Sequence, residues 1–379
     1  MALAHDLIRT LSALVVLAGL SRTHAADAAT ATAFDGTTLT GESVVVADGS
    51  VKIGGASLAL ADCDWIETGA RAQGSGRADV WVRLVDGSSL PASRLAASDA
   101  PDAILLEDGP LGDLRLPLTA LVGWGDDPRG DTTKDRVVLE SGTLVGSVLG
   151  VTDGSLRFQS RLDPKPLAFP LGDVQALALA TPVRPPKGIV LSVDLDPAHP
   201  PLYVLPKVGF PLASAPSVAT GPALAGYRMR VEGGRRIYLG ALKIARIEEI
   251  GAFGVVWKHR IDASIDGGPM LMGGVRYAHG ITVHSKALVA WDLGGAYERL
   301  SAYAGISDSV APEGDCHASL IGDGKVLWTR ESVKGSDKPL PVSIDVRGVK
   351  SLELHVDYGA RYDIGDHFML ADAWLLKVK

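Results

Sequence analysis

Histidine is the residue type whose distribution in this chain first suggests chemistry. Six of the nine histidines lie after residue 258, namely His259, His279, His284, His317, His355 and His367. Imidazole is a common metal ligand and a common acid or base near neutral pH. No two of these residues have the spacing of a His-Glu-x-x-His motif or of a ligand loop. The pattern therefore does not favour a zinc site, and histidines that tie a loop to a sheet are the simpler interpretation.

The sequence also lacks a set of residues typical of a catalytic centre. Gly74-Ser75-Gly76 has none of the flanking residues of a nucleophile elbow. The run from Gly322 to Lys325 has the glycines of a turn without the rest of a phosphate-binding loop. Acidic residues are numerous, but the repeated segments around them are too small for the scaffold of a glycosidase. We therefore predict a protein that is not an enzyme and needs no cofactor.

Composition and charge limit the fold class and the partners. The 379 residues include 44 Gly and 22 Pro, set among short apolar runs. Such a composition favours many short strands joined by tight turns, and the length indicates two or three domains. The net charge is −7, with no block of like charge. This surface repels phosphate groups, so neither nucleic acid nor an anionic membrane surface is an expected partner.

The N-terminal segment is typical of a secretory signal. Residues 11–20 are apolar, follow Arg9, and precede small residues that end at Ala25. Roughly ten apolar residues are about half of what a bilayer-spanning helix needs. We predict that residues 1–25 are a signal peptide cleaved near Ala25, and that the mature chain is secreted, periplasmic or extracellular, with no membrane span. An uncleaved anchor is the alternative.

Two cysteines, Cys63 and Cys316, lie far apart, each inside an apolar alternating run. Two cysteines do not make a disulfide framework. Two buried apolar side chains are the main expectation. A bridge between them is the alternative, and it would require the first and last domains to touch.

Residues 33–180 contain a degenerate repeat. Its copies span about 33–70, 79–126 and 135–180, and their first turn glycines, Gly36, Gly87 and Gly142, are about fifty residues apart. Each copy has a strand, a glycine turn, a second strand, further β-structure and a closing Val/Leu segment. Asp-Gly turns between alternating strands are strong hairpin signals. We predict three tandem small β-barrel or β-sheet modules.

Proline is concentrated in residues 181–234. Because proline lacks the N–H that a ladder needs, a well-paired central strand is not expected there. We predict a proline-rich linker or extended segment with one strand near residues 189–195. A proline-rich recognition segment is the alternative.

Residues 235–379 alternate apolar and polar positions, interrupted by turn residues about every ten positions. Leu352, Leu354 and Val356 illustrate the period of two, which places one face of a strand inward. About eight such strands predict a double-sheet sandwich of the jelly-roll type.

Six short motifs follow one another in this segment. They are Ser264-Ile265-Asp266-Gly267-Gly268-Pro269, the run YAHGITVHS at 277–285, Trp291-Asp292-Leu293-Gly294-Gly295, the run AGISD at 304–308, the run GDGKVL at 322–327, and Gly365-Asp366-His367 with Ala371-Asp372-Ala373. Together and in this order they resemble the NPCBM/NEW2 family, whose carbohydrate-binding-type modules accompany glycoside hydrolases in secreted bacterial proteins. Leu370 stands where the family has a tryptophan, and Ser307 where it has an aspartate. The resemblance covers about the last third of the chain and implies a galactose-binding-like β-sandwich.

The resemblance also implies candidate site residues. Sugar modules stack an aromatic face on the sugar ring and hold its hydroxyls with a few polar side chains. The predicted ligand-binding residues are Trp257, Arg276, His284, Asp308, Asp366 and His367. Asp366 and Asp372 are candidates for a structural Ca²⁺ site, since carboxylate oxygens suit that ion. Hydrogen bonds to turn amides are the alternative role for both.

The resulting hypothesis is a secreted, non-catalytic carbohydrate-binding or adhesion protein. Its partner would be a glycan or a cell-surface protein bound through the C-terminal sandwich. The alternative is a structural or assembly protein whose sandwich mediates protein contacts without sugar binding, which the departures at Leu370 and Ser307 suggest.

Overall fold

The computed structural model describes residues 28–69, 78–125, 133–196, 198–220, 224–252 and 254–379. Within these ranges the chain consists of β-strands, turns and short 3₁₀ segments, without an α-helix. The prediction of a mainly β protein is therefore confirmed. In the same ranges, no helix has the length and apolar character that crossing a bilayer would require. The predicted signal peptide and the Gly74-Ser75-Gly76 run lie outside the described residues.

The three predicted repeats contain seventeen strands in the described ranges. The first contains β1 (Ala29–Ala33), β2 (Thr38–Gly41), β3 (Val44–Ala47), β4 (Ser50–Ile53), β5 (Ala56–Ala59) and β6 (Cys63–Glu67). The second contains β7 (Val80–Leu84), β8 (Ser89–Ala92), β9 (Arg94–Ala97), β10 (Ala103–Gly109), β11 (Gly112–Pro117) and β12 (Leu121–Trp124). The third contains β13 (Asp135–Leu139), β14 (Gly142–Thr152), β15 (Ser155–Ser160), β16 (Leu167–Pro170) and β17 (Ala176–Ala178). A single 3₁₀ turn precedes the last strand of each group, at Leu60–Asp62, Leu118–Ala120 and Leu171–Asp173.

Residues 181–234, for which proline content suggested a linker or extended segment, contribute three paired strands. These are β18 (Val190–Val193), β19 (Leu202–Val204) and β20 (Arg228–Glu232). Strand β18 lies where one strand was expected, but it is central, since it pairs with β19 on one side and β20 on the other. The prolines fall in the connections, so the ladder keeps its N–H donors.

The strand orders show how these segments combine. One sheet has the order β19-β18-β20-β6-β1-β2, and the other has the order β16-β15-β14-β13-β17-β12-β7-β8. The first repeat therefore shares a sheet with residues 190–232, just as the second repeat shares one with the third. In each sheet the last strand of the earlier repeat, β6 or β12, lies next to the last strand of the later segment, β20 or β17. Two small antiparallel sheets, β3-β4-β5 and β9-β10-β11, complete this part. One continuous apolar core runs through all four segments and includes Ile66, Trp124, Phe158 and Val231.

The C-terminal part is the predicted double-sheet sandwich, which is confirmed. Its strands are β21 (Arg236–Tyr238), β22 (Ile244–Glu249), β23 (Arg260–Ile261), β24 (Met270–Met272), β25 (Val275–Tyr277), β26 (Gly280–His284), β27 (Ala287–Asp292), β28 (Tyr297–Ile306), β29 (Asp315–Gly322), β30 (Lys325–Lys334), β31 (Leu340–Asp345), β32 (Ser351–Tyr358) and β33 (His367–Lys377). One sheet has the order β23-β26-β33-β28-β31 with β21 also on β33, and the other has β22-β27-β32-β29-β30. Trp291, Leu300, Leu354 and Leu370 are fully buried in its core.

A set of arginines joins the sandwich to the N-terminal part. Arg235 donates to Asp62 at 2.8 Å and to Glu298 at 2.9 Å. Arg236, 2% exposed, pairs with Asp64. These contacts seat the start of the sandwich against the first repeat.

Both cysteines are buried free thiols. Cys63 belongs to the core of the N-terminal part and Cys316 to the core of the sandwich. Burial raises the pKa of the Cys63 thiol to about 12. They therefore act as apolar side chains, in agreement with the main expectation.

Candidate functional site

Three of the predicted ligand residues form one aromatic cluster at the end of the sandwich. The Trp257 ring centroid lies 5.8 Å from that of His284 and 5.7 Å from that of His367, and the two imidazoles are 5.4 Å apart. Trp257 is 42% exposed, whereas both histidines are 7% exposed. The indole is thus accessible to a ligand while its surroundings are ordered by packing. We name Trp257, His284 and His367 the rim site.

Strand pairing explains why the rim site forms. His284 ends β26 and His367 begins β33, and the two residues are direct partners in the antiparallel ladder. Trp257 reaches them from the loop after β22, which Glu249 anchors by accepting hydrogen bonds from the His259 amide and the Lys258 ammonium group. Two rigid strand ends and one anchored loop therefore hold the three rings.

The two histidines have different hydrogen-bond surroundings. The Nδ1–H of His284 donates to the Ser285 carbonyl at 2.8 Å, because a carbonyl oxygen can only accept. Burial, and then the neighbouring His284, lower the pKa of His367. Its Nδ1 is buried, with no hydrogen-bond partner among the described residues. A buried polar atom without a partner carries a desolvation cost, so this nitrogen is a point of stored polar cost beside the indole.

Asp366 supports the rim site from behind. Its side chain is fully buried, and it accepts the Ser285 hydroxyl at 2.6 Å and the Asp315 amide at 2.8 Å. Burial raises the pKa of this carboxyl above its usual value. Both oxygens are thus occupied by protein donors, which is the alternative role expected for it.

Asp308 and Arg276 lie away from the rim site. Asp308 accepts the amides of Gly273 and Gly274 at 2.7 and 2.8 Å, and so it closes the turn between β24 and β25. Arg276, on β25, donates to the Ala198 carbonyl at 3.0 Å and faces the N-terminal part. The structure therefore places Arg276 on a separate hairpin, and Asp308, which follows β28, against the turn of that hairpin.

The calcium hypothesis has little support from the donors present. Asp372 pairs with Arg230 at 2.6 Å, while Asp366 is held by Ser285 and Asp315. Across the ranges that the structure describes, no group of three or more His, Cys, Asp or Glu side chains could hold a metal ion. Calcium binding stays a prediction.

The two positions that depart from the motif pattern are both buried. Leu370 is fully buried in the sandwich core, and Ser307 is 1% exposed, with its hydroxyl 2.9 Å from that of Ser309. Both departures therefore lie beneath the surface, and the Ser307 amide donates to the carbonyl of rim site residue His367 at 2.9 Å.

Asp266 is a residue that the sequence reasoning did not single out. Its charge acts on His367 and favours the protonated imidazole, although burial outweighs it. Asp266 is exposed and so is open to a ligand. The sequence did contain a signal for this residue, because Asp266 belongs to the first of the six motifs.

Comparison with known proteins finds matches in the C-terminal part of the chain. Residues 236–376 match the family model of the NPCBM/NEW2 domain. A protein of Renibacterium salmoninarum named "Putative endo-alpha-N-acetylgalactosaminidase" is 30% identical over 91 residues, which are 24% of this chain and 6% of that protein. The alignment thus spans a small part of that relative.

Carbohydrate-binding modules are among the solved structures to which this chain is similar. The CBM51 module of Clostridium perfringens GH95, in complex with methyl-galactose, is 22% identical, with a TM-score of 0.34, over 37% of this chain and 99% of that one. The tandem CBM51 modules of a family 98 glycoside hydrolase from Streptococcus pneumoniae SP3-BS71 are 11% identical, with a TM-score of 0.34, over 79% of this chain and 88% of theirs. The match to the NPCBM/NEW2 domain thus coincides with the C-terminal sandwich of this chain.

Proposed function

We propose that this chain is a non-catalytic glycan-binding protein and that the rim site contacts the sugar. The observation that supports the proposal is an exposed indole packed on two imidazoles, one of which has a nitrogen without a hydrogen-bond partner among the described residues. An aromatic floor with a few fixed polar groups is the arrangement that binds a sugar ring, since the ring has an apolar face and polar edges.

The polar groups of the rim site suit hydroxyl recognition. The two imidazoles lie next to the indole, and Nδ1 of His367 has no hydrogen-bond partner in the part of the chain that the structure describes. Exposed Asp266 adds a carboxylate whose charge acts on His367. A carboxylate favours a neutral saccharide over an anionic one, because it accepts hydroxyl hydrogen bonds and repels negative charge.

The proposal extends to export. The apolar segment at 11–20 with small residues up to Ala25 supports secretion, and a glycan is a partner met outside the cell. Sequencing the N-terminus of the protein recovered from the medium or periplasm checks this part, and an intact N-terminal methionine would contradict it.

A glycan array probed with the full chain, followed by calorimetry on the strongest binder, tests the binding site. We expect Trp257→Ala to weaken glycan affinity by about tenfold or more. The expected size follows from ring stacking on an aromatic side chain, which contributes roughly 1–3 kcal/mol for a nucleic-acid base. Trp257→Phe should retain most of the affinity.

Val255→Ala is the matched control, since Val255 is 61% exposed in the same loop. Equal affinities of the Trp257→Ala and Val255→Ala proteins would refute the rim site. The absence of glycan binding, together with self-association of the full chain, would favour the structural or assembly role instead.

A further inference from the structure

A cavity lies between the N-terminal part and the sandwich, and none of its lining residues belongs to the rim site. It has a volume of about 370 Å³. Strands β18 and β20 supply one wall, with Ser192 and Glu232, and strand β25, Tyr303 on β28 and Asp372 on β33 supply the other. We call it the interdomain cavity.

The back of this cavity is a closed hydrogen-bond network. Glu232 accepts the hydroxyls of Ser192 and Tyr238, each at 2.8 Å. Arg230 donates to Asp372 at 2.6 Å. These groups satisfy one another, so they form a fixed polar wall rather than the ligand contacts themselves.

One polar group remains available in this wall. The Asp194 side chain is open to the cavity, and the surrounding protein raises the pKa of its carboxyl, mainly by desolvation. Among the described residues, no hydrogen-bond donor holds it. A ligand hydroxyl that donates to Asp194 would satisfy this carboxyl.

Aromatic side chains line the sandwich side of the cavity. The rings of Tyr277 and Tyr303 lie 5.8 Å apart, and Tyr303 is 40% exposed. On the other side, His199 stacks on Trp81 with ring centroids 3.5 Å apart. Such surfaces suit the apolar face of a ring that carries hydroxyl groups at its edges.

Charge argues against an anionic ligand. Asp194, Glu232 and Asp372 contribute three carboxylates, against the guanidinium groups of Arg230 and Arg276. Donors, acceptors and aromatic faces are all present with little excess charge. We propose that the interdomain cavity binds a neutral saccharide, with Asp194 accepting its hydroxyls and Tyr303 packing on its ring.

The position of His199 indicates a ligand longer than one ring. His199 lines the interdomain cavity and also a neighbouring cavity of about 660 Å³ that contains Trp81. The two spaces therefore adjoin at the stacked pair. An oligosaccharide could occupy both, with His199 and Trp81 beside the link between units.

This proposal stands apart from the rim site and is tested with variants of the full chain. An array of neutral oligosaccharides built on galactose, N-acetylgalactosamine, glucose, N-acetylglucosamine and mannose selects the probe, and calorimetry then measures its affinity and stoichiometry. We expect Asp194→Asn to weaken one class of sites by about tenfold, because a hydrogen bond to a charged acceptor is replaced by a weaker one to a neutral amide oxygen. Tyr303→Ala should weaken the same class.

The matched control is Asp292→Asn, which changes an exposed aspartate on β27. If Asp194→Asn and Tyr303→Ala bind like Asp292→Asn while Trp257→Ala loses binding, the interdomain proposal fails and the rim site stands. If Asp194→Asn loses sugar binding while Trp257→Ala binds fully, the interdomain proposal stands and the rim site fails. A second array of sialylated and sulfated glycans completes the test, and binding to that array alone would overturn the proposal for the cavity.

Discussion

Asp366 offers the sharpest test of how the rim site is held. Its carboxylate is fully buried and accepts two donors, the Ser285 hydroxyl and the Asp315 amide. Asp366→Ala removes both acceptors. The hydroxyl can rotate, but the backbone N–H cannot, and a buried unsatisfied donor costs roughly 1–3 kcal/mol. With the lost packing of the side chain, we expect the free energy of unfolding to fall by about 3 kcal/mol.

Asp366→Asn separates hydrogen bonding from charge. The amide oxygen can accept the Asp315 N–H, and the amide nitrogen can donate to the Ser285 oxygen, because a hydroxyl is both donor and acceptor. We expect a loss of about 1 kcal/mol. Urea unfolding followed by tryptophan fluorescence measures both variants. Equal losses in the alanine and asparagine proteins, or no loss in either, would refute the assigned contacts.

The same carboxyl has a defined pH signature. Burial raises its pKa in the folded state above the usual 3.8. In the interval between 3.8 and the folded pKa, the folded state therefore binds more protons than the unfolded state. Stability then rises as pH falls through that interval. The free energy of unfolding of the unsubstituted chain, relative to Asp366→Asn, should increase on acidification, and a decrease would contradict the assignment.

Two further predictions concern the histidine of the rim site and the arginine junction. The pKa of His367 in the folded state is lowered below 6.5. The unfolded state therefore binds more protons than the folded state just below pH 6.5, and stability is lost as the pH falls through that interval. Urea titrations at several pH values should show a smaller loss for His367→Gln than for the unsubstituted chain. Arg236→Met should lower the free energy of unfolding by about 3 kcal/mol, because it breaks a buried ion pair with Asp64 at the junction of the two parts. Arg347→Met is the control, since the Arg347 side chain is 72% exposed and its removal should change stability little. Equal effects of Arg236→Met and Arg347→Met on thermal unfolding would contradict the role of Arg236.

Local signals in the sequence were sufficient for much of the β structure. The alternation of Leu352, Leu354 and Val356 predicted a strand with one inward face, and all three side chains are buried on β32. The Asp-Gly turn at Asp323 also formed, with both residues at positive φ. Period and turn chemistry are properties of neighbouring residues, so they can be read without knowing the fold.

Which strands pair across the chain was decided by tertiary structure. Strand β6 pairs with β20, more than 150 residues later, and this pairing gave order to a segment whose prolines suggested a linker. The prolines fell between strands, a detail that composition does not reveal. Long-range pairing depends on which apolar faces meet in a shared core, and no local pattern specifies that.

The candidate site divides in the same way. His284 and His367 lie in motifs visible in the sequence, and Trp257 was predicted beside them, but only the ladder between β26 and β33 brings the two imidazoles together. Arg276 was predicted for the same site, yet it lies on a hairpin that faces the N-terminal part. The sequence by itself determined which side chains are chemically suited to a ligand site, because that follows from residue type. The packing of two separate parts of the chain decided where they meet, because a cavity between them exists only once both have folded.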